Sequence, residues 1–241
     1  MKGMVIIMKR NFTNKINWCL DELLPPVLRD SKFFMSILFR IALGKKYRYY
    51  LEFKEAASVQ DEKQINAYYE LLADTFIQRA TDNNDKCVEF ICQSSNTQYT
   101  TVLDAACGKG YLINKIYESD KNKEFYAVDI ALPDKRNKEI HYKQASITAL
   151  PFEDNSIDLV ICTHALEHIK DNSLALSELR RICKKKLIIV LPKQREYKFS
   201  FDLHVHFYPY LYNVTNYINN PKAKIFEVGK DWMIVEEYAH S

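Results

Sequence analysis

Glycine is scarce in this chain. Five glycines and seven prolines among 241 residues exclude collagen-like and Gly/Pro-rich low-complexity composition, and they make the Gly108-Lys109-Gly110 pair conspicuous. Long hydrophobic runs are missing as well. The Met4–Met8 run is too short for a signal-peptide core, and the apolar stretch from Phe33 to Leu43 holds only eleven residues, Arg40 among them. No transmembrane segment is therefore expected. Six cysteines, at 19, 87, 92, 107, 162 and 183, form no CxxC pair and no regular framework, so neither zinc ligation nor disulfide stapling is indicated. Cys162 and Cys183 sit in apolar surroundings and are expected to pack as small hydrophobes. A reducing, cytoplasmic location fits this usage.

Strong net charge is also lacking, at +3. The distribution is uneven: residues 1–60 carry 11 Lys/Arg against 5 Asp/Glu, a balance of +6, which leaves −3 for the rest. A basic N-terminal region can face an anionic partner, although a solvated face is the simpler reading. With 47% apolar and 27% charged residues, the chain has the composition of a folded protein, and its length favours one domain with an appendage.

Residues 11–60 read as short helices interrupted at Pro25-Pro26 and Gly44. Phe33, Phe34, Ile37, Leu38 and Ile41 recur at helical spacing, so the segment presents an apolar face to a core, to an active site as a lid, or to a membrane surface. A second helical stretch, 61–91, places Ile65, Tyr68, Tyr69, Leu72 and Phe76 on one side. From 101 onward strands and helices alternate. Strands are predicted at 101–104, 124–129, 140–142, 157–162 and 186–191, with helices at 111–119 and 173–183. The connections after Asp129 and Tyr142 are too short or too polar for long helices. Pro209 to Ile218 can form a helix, and 224–228 with 232–236, separated by Gly229-Lys230-Asp231, predict an antiparallel hairpin. The expected fold is thus α/β: a seven-stranded, mostly parallel, Rossmann-like sheet with a C-terminal antiparallel hairpin in a three-layer α/β/α arrangement, plus a helical N-terminal appendage. The expected division is 1–95 for the appendage and 96–241 for the sheet domain. Ligands of such sheets sit at the carboxyl ends of the strands.

The run VLDAACGKGYL, 102–112, is strand, tight glycine turn and helix start, which is how a nucleotide-like ligand is held. It is not GxGxxG, because Tyr111, Leu112 and Ile113 follow Gly110, and no Ser or Thr follows Lys109 as in a Walker loop. Asp104 would repel a pyrophosphate but could accept from a ligand ammonium. Asp104 to Gly110 resembles the first motif of class I S-adenosylmethionine-dependent methyltransferases, of the methyltransferase type 11 family. Ala106 stands where that family has a glycine, a change tolerated at negative φ. Tyr126-Ala127-Val128-Asp129 resembles the second strand of the family, and SITALPFEDNSIDLV, 146–160, its loop and fourth strand. Ala165 to His168, then Glu178 to Ile182, resemble the segments that follow.

The resemblance implies S-adenosylmethionine as cofactor, with S-adenosylhomocysteine as product. It implies binding through Asp104, Ala106, Cys107, Gly108, Gly110, Asp129, Ile130, Ser146, Ile147 and Thr163. The Asp129 carboxylate would accept from the ribose hydroxyls, and Ser146 stands where an adenine-contacting Asp is more usual. Direct displacement from a sulfonium can run on positioning, so a base is optional; the candidates are His164 and His168. His204-x-His206 would share one face of a strand, but without nearby carboxylate or cysteine partners beyond Asp202 no metal is expected. The run Lys45-Lys46-Tyr47-Arg48-Tyr49-Tyr50 invites a nucleic-acid reading, against which stand the small net charge and the lack of an RNA-binding module. The expected function is an enzyme that methylates O or N of a small molecule, a sugar or glycan precursor being one class. A non-catalytic cofactor-binding protein and an RNA methyltransferase are the alternatives. Neither the acceptor nor the oligomeric state is legible in the sequence.

Overall fold

The computed structural model describes residues 23–72, 80–95, 98–199 and 201–238. Phe76 and Cys19 lie outside them. Two compact units are present: one takes the described residues of 1–79 together with 195–206, the other those of 80–194 and 207–241.

In the second unit seven strands form one sheet in the order β3-β2-β1-β4-β5-β7-β6. These are β1 Thr101–Ala105, β2 Glu124–Asp129, β3 Ile140–Gln144, β4 Ile157–Thr163, β5 Cys183–Pro192, β6 Lys224–Val228 and β7 Asp231–Glu237. The first five are parallel neighbours, whereas β7 runs antiparallel between β5 and β6. The central strands are apolar on both faces, as Leu159, Val160 and Ile161 of β4 illustrate, all fully buried; sheets covered on both sides require this. One face packs against Cys87 and Ile91 of helix Asp85–Ser94 and Leu112, Ile113 and Ile116 of helix Tyr111–Ser119. The other packs against Ala175, Leu176, Leu179 and Ile182 of helix Asn172–Ile182 and Val214 and Ile218 of helix Leu211–Ile218. No helix joins β2 to β3 or β3 to β4, in line with the short polar connections. Cys162 and Cys183 are buried in the second face.

Polar side chains tie neighbouring segments together. Asp158 accepts from Thr100 N and Oγ1, both at 2.8 Å, and from Lys185 Nζ at 3.0 Å. Arg181 donates to Phe152 O and Asp154 Oδ1, both at 2.8 Å, and to Leu150 O at 3.1 Å, holding the 150–154 loop. That gives the LPFED run and the ELRRI helix a shared structural purpose. The sequence pattern carries the helical stretch of 61–91 through most of helix Asp85–Ser94. The chain instead turns at 81–84 and caps the helix with Asn84, whose side chain accepts from Cys87 N at 2.9 Å; Cys87 and Ile91 then belong to the sheet core.

The first unit has helices Lys32–Leu43, Tyr47–Val59 and Glu62–Leu72. Its core joins Met35, Phe39, Tyr50, Phe53, Ile65 and Leu72 to Phe199 and Leu203 from the 195–206 segment. Tyr69 Oη donates to Leu203 O at 2.7 Å, and Phe39 meets Phe201 with ring centroids 4.4 Å apart. Among the described residues no helix is long and apolar enough to cross a membrane.

Candidate functional site

β1 ends at the sheet centre, where the order reverses between strands running outward to β2 and to β4; crevices at such switch points hold ligands. The turn that follows is tight: Cys107 N donates to Val128 O at 2.9 Å, and Gly110 N to Cys107 O at 2.8 Å. Gly108 and Gly110 have φ of 51° and 74°. A Cβ on Gly110 would lie 2.9 Å from Tyr142 Oη, whereas nothing lies within 4 Å of one on Gly108. The first glycine therefore faces open space and the second faces protein. Ala106 does not meet the condition of negative φ under which alanine is tolerated, because its φ is +66°. Its Cβ carries a left-handed conformation that costs an L-residue about 1–2 kcal/mol.

Asp129, at the end of β2, turns back onto this loop. Its Oδ2 accepts from Gly108 N at 2.8 Å and its Oδ1 from Ala131 N at 3.0 Å. Each oxygen accepts one backbone donor there, so acceptor capacity remains for a ligand. Ile130 beside it is 43% exposed. Asp104 is buried, with Oδ1 lacking any partner. Burial and then the Asp129 charge push its carboxyl up to about 7, with the Ile113 backbone N–H acting in the opposite sense. Burial likewise pushes the Cys107 thiol up, so it is no thiolate nucleophile.

Ser146 is turned on its own loop: its Oγ lies 2.7 Å from Thr148 Oγ1 and accepts from Thr148 N at 3.2 Å. Ile147 belongs to the hydrophobic core. Thr163 ends β4, and its Oγ1 accepts from Asn83 Nδ2 at 2.9 Å. Asn83 was not foreseen, and neither was the role of its neighbour Asn84, whose Nδ2 donates to Val228 O at 2.8 Å and Asp231 Oδ2 at 2.7 Å. An Asn-Asn-Asp run ahead of a helix is a capping signal, but its reach to the hairpin is a long-range fact.

His164 follows Thr163 with φ of +50°, fixed by donation from its N–H to Val190 O at 3.0 Å. Its ring lies between two buried carboxylates, Nδ1 at 3.5 Å from Glu167 Oε1 and Nε2 at 3.6 Å from Asp231 Oδ2. These are ion-pair separations and not well-formed hydrogen bonds, which agrees with the absence of hydrogen-bond partners for Nε2 and both Glu167 oxygens. Burial alone would push the imidazole down, but Asp231 and Glu167 outweigh it and hold it up to about 10. His168 is half-buried, its N–H donating to Ala165 O at 2.9 Å. His204 and His206 lie on a loop of the first unit and not on a strand, so no pleat forces them onto one face.

Known proteins align with this geometry. Residues 103–191, which run from β1 to β5, match the family model of the methyltransferase domain, a family whose cofactor is S-adenosylmethionine. An uncharacterised protein of Methanocaldococcus jannaschii is 40% identical over 95 residues, 37% of this chain and 40% of that one. Malonyl-[acyl-carrier protein] O-methyltransferase of Salmonella typhimurium is 28% identical over 127 residues, 51% of this chain and 50% of that one. Among solved structures, the Burkholderia thailandensis 1,6-didemethyltoxoflavin-N1-methyltransferase superposes with a TM-score of 0.50 at 11% identity, covering 72% of this chain and 84% of that one. The chain spans half or less of the length of these two curated relatives. Its donor set fits the cofactor: a buried, unpartnered carboxylate oxygen on Asp104, a half-used carboxylate on Asp129, and open space at Gly108.

Proposed function

We propose that this chain is an S-adenosylmethionine-dependent methyltransferase that transfers the methyl group to oxygen or nitrogen of a small molecule, in the cytoplasm. The carrying observation is the Asp129 carboxylate closed onto Gly108 N at 2.8 Å, at the switch point of the sheet. The partial likeness to an enzyme named as an O-methyltransferase of a malonyl carrier adds support for a non-nucleic-acid acceptor. Bound S-adenosylmethionine supplies a methyl group on an already activated sulfonium.

The protein's share is then binding and alignment. Asp129 would accept from a vicinal diol, and Asp104 from a ligand ammonium. Asn83 orients the Thr163 hydroxyl at the end of β4. His164, held protonated between Glu167 and Asp231, has no lone pair to offer at neutral pH. Its role in this reading is to hold the two buried carboxylates together, which leaves His168 as the base candidate if one is used. The helical unit is the part assigned to acceptor selection.

Isothermal titration with S-adenosylmethionine and S-adenosylhomocysteine tests the reading. Binding is expected, with Asp129→Ala weaker by roughly 1.5–3 kcal/mol, the range of hydrogen bonds to a charged group. No heat at millimolar cofactor would sink the enzyme reading, and unchanged affinity in the variant would remove Asp129 from the site.

A further inference from the structure

Helix Lys32–Leu43 has two apolar faces, and among the described residues only one of them is packed. Met35 and Phe39 are fully buried in the core of the helical unit. Phe33, Ile37 and Ile41, at i, i+4 and i+8, form a second stripe that is 78%, 46% and 78% exposed. Ahead of the helix Leu23 and Val27 are exposed at 62% and 82%. Isolated exposed apolar residues are ordinary, but a contiguous row marks an interaction surface.

The charge beside the stripe is mostly basic, with Glu52 lining the same pocket as Lys32, Phe33 and Arg48. Residues 31–51 contain Lys32, Arg40, Lys45, Lys46 and Arg48 and no Asp or Glu, the nearest acids being Asp30 and Glu52. Lys32, Arg40, Lys45 and Arg48 are exposed. At 100° per residue Arg40 projects about 20° from Phe33, within the stripe, whereas Lys32 lies about 100° from Phe33. Apolar side chains bordered by cations are the pattern of a helix that lies in a membrane interface.

We propose that this face of helix Lys32–Leu43 docks on an anionic lipid bilayer, inserting Phe33, Ile37 and Ile41 among the acyl chains while the basic residues meet the headgroups. A second copy of the chain is the poorer occupant. In a two-fold interface the same patch meets itself, so two basic patches would be brought together with Glu52 alone among residues 31–52 to offset five cations. Nucleic acid would reward the cations but leave two protruding isoleucines against phosphate and water. Lipid rewards both parts of the face, the charge by attraction to the leaflet and the apolar row by burial. This surface is independent of the methyl-transfer reading, since none of its residues belongs to the cofactor site.

Co-sedimentation of the full chain with vesicles tests it. The chain should pellet with phosphatidylglycerol/phosphatidylcholine vesicles and bind at least about ten-fold more weakly to phosphatidylcholine alone, with the difference shrinking at high salt. The triple variant Phe33→Ser, Ile37→Ser, Ile41→Ser should stay in the supernatant while keeping its circular dichroism and its S-adenosylhomocysteine affinity, because all three side chains are exposed. Either a wild-type chain that stays soluble with anionic vesicles at low salt, or a triple variant that pellets equally well, overturns the proposal. A dimer in light scattering that the triple variant reduces to a monomer assigns the face to a second copy, and overturns it too.

Discussion

Ala106 shows how one residue can match a motif in kind and depart from it in conformation. Its φ of +66° is the one that favours glycine, so Ala106→Gly relieves about 1–2 kcal/mol of left-handed strain and gives back about 0.4–1 through a more flexible unfolded chain. The expected result is a gain of about 0.5–1 kcal/mol in urea unfolding; a loss would mean that the turn takes another conformation. Asp104 makes a second residue-scale prediction. Its carboxyl, pushed up to about 7 by burial and Asp129, is neutral below that pH and ionised above it. A ligand ammonium favours the ionised form, so affinity should rise as pH rises through 7. Titrating S-adenosylhomocysteine should give about ten-fold tighter binding near pH 8 than near pH 6, as linkage at a single site requires, and a flat profile in Asp104→Asn. A pH-independent wild type would show that Asp104 carries no part of the ligand charge. Type and spacing made Asp104, Gly108, Gly110 and Asp129 legible as site candidates. The backbone conformation and the ion clamp of His164 were not, because both involve partners far along the chain: Val190 O accepts from the His164 N–H and Asp231 lies against its ring.

Among the elements, those with a clean apolar period were read closely. The helix at 111–119 and the strand at 124–129 fall where periodicity places them, since each buries one face or both against its immediate neighbours. The helix at 85–94 was harder, because its amphipathic pattern follows that of Glu62–Leu72 and periodicity does not report which core a face joins. Its cap decides. Asn84 bonds Cys87 N, Val228 O and Asp231 Oδ2, coupling the helix start to the hairpin turn. Gly229 allows this approach: its φ is +69°, and a Cβ there would lie 2.9 Å from Asn84 Nδ2. Gly229→Ala is therefore expected to cost at least about 1–2 kcal/mol from the backbone alone, with faster amide exchange in residues 85–88. Exchange unchanged there would uncouple the hairpin from the helix.

On the scale of the whole molecule the chain is interleaved. Residues 195–206 leave the sheet unit, give Phe199 and Leu203 to the core of the helical unit, and the chain then returns to the sheet. A variant lacking residues 1–79 would keep those apolar side chains and lose their partners, so it should bind more 1-anilinonaphthalene-8-sulfonate and precipitate more readily than the full chain. A soluble truncation with unchanged dye binding would show that 195–206 packs elsewhere. The local alphabet of this protein was enough to establish an α/β sheet with a terminal hairpin, a glycine turn at the end of the first strand and an acidic residue ending the second, because periodicity, turn chemistry and motif spacing are properties of short stretches. Folding in three dimensions decided what no short stretch encodes: that Asn83 and Asn84 reach β4 and the hairpin, that His164 is clamped between two carboxylates, and that 195–206 belongs with the helices. Those outcomes depend on contacts between residues 67 to 147 positions apart, whose partners only the folded chain brings within bonding distance.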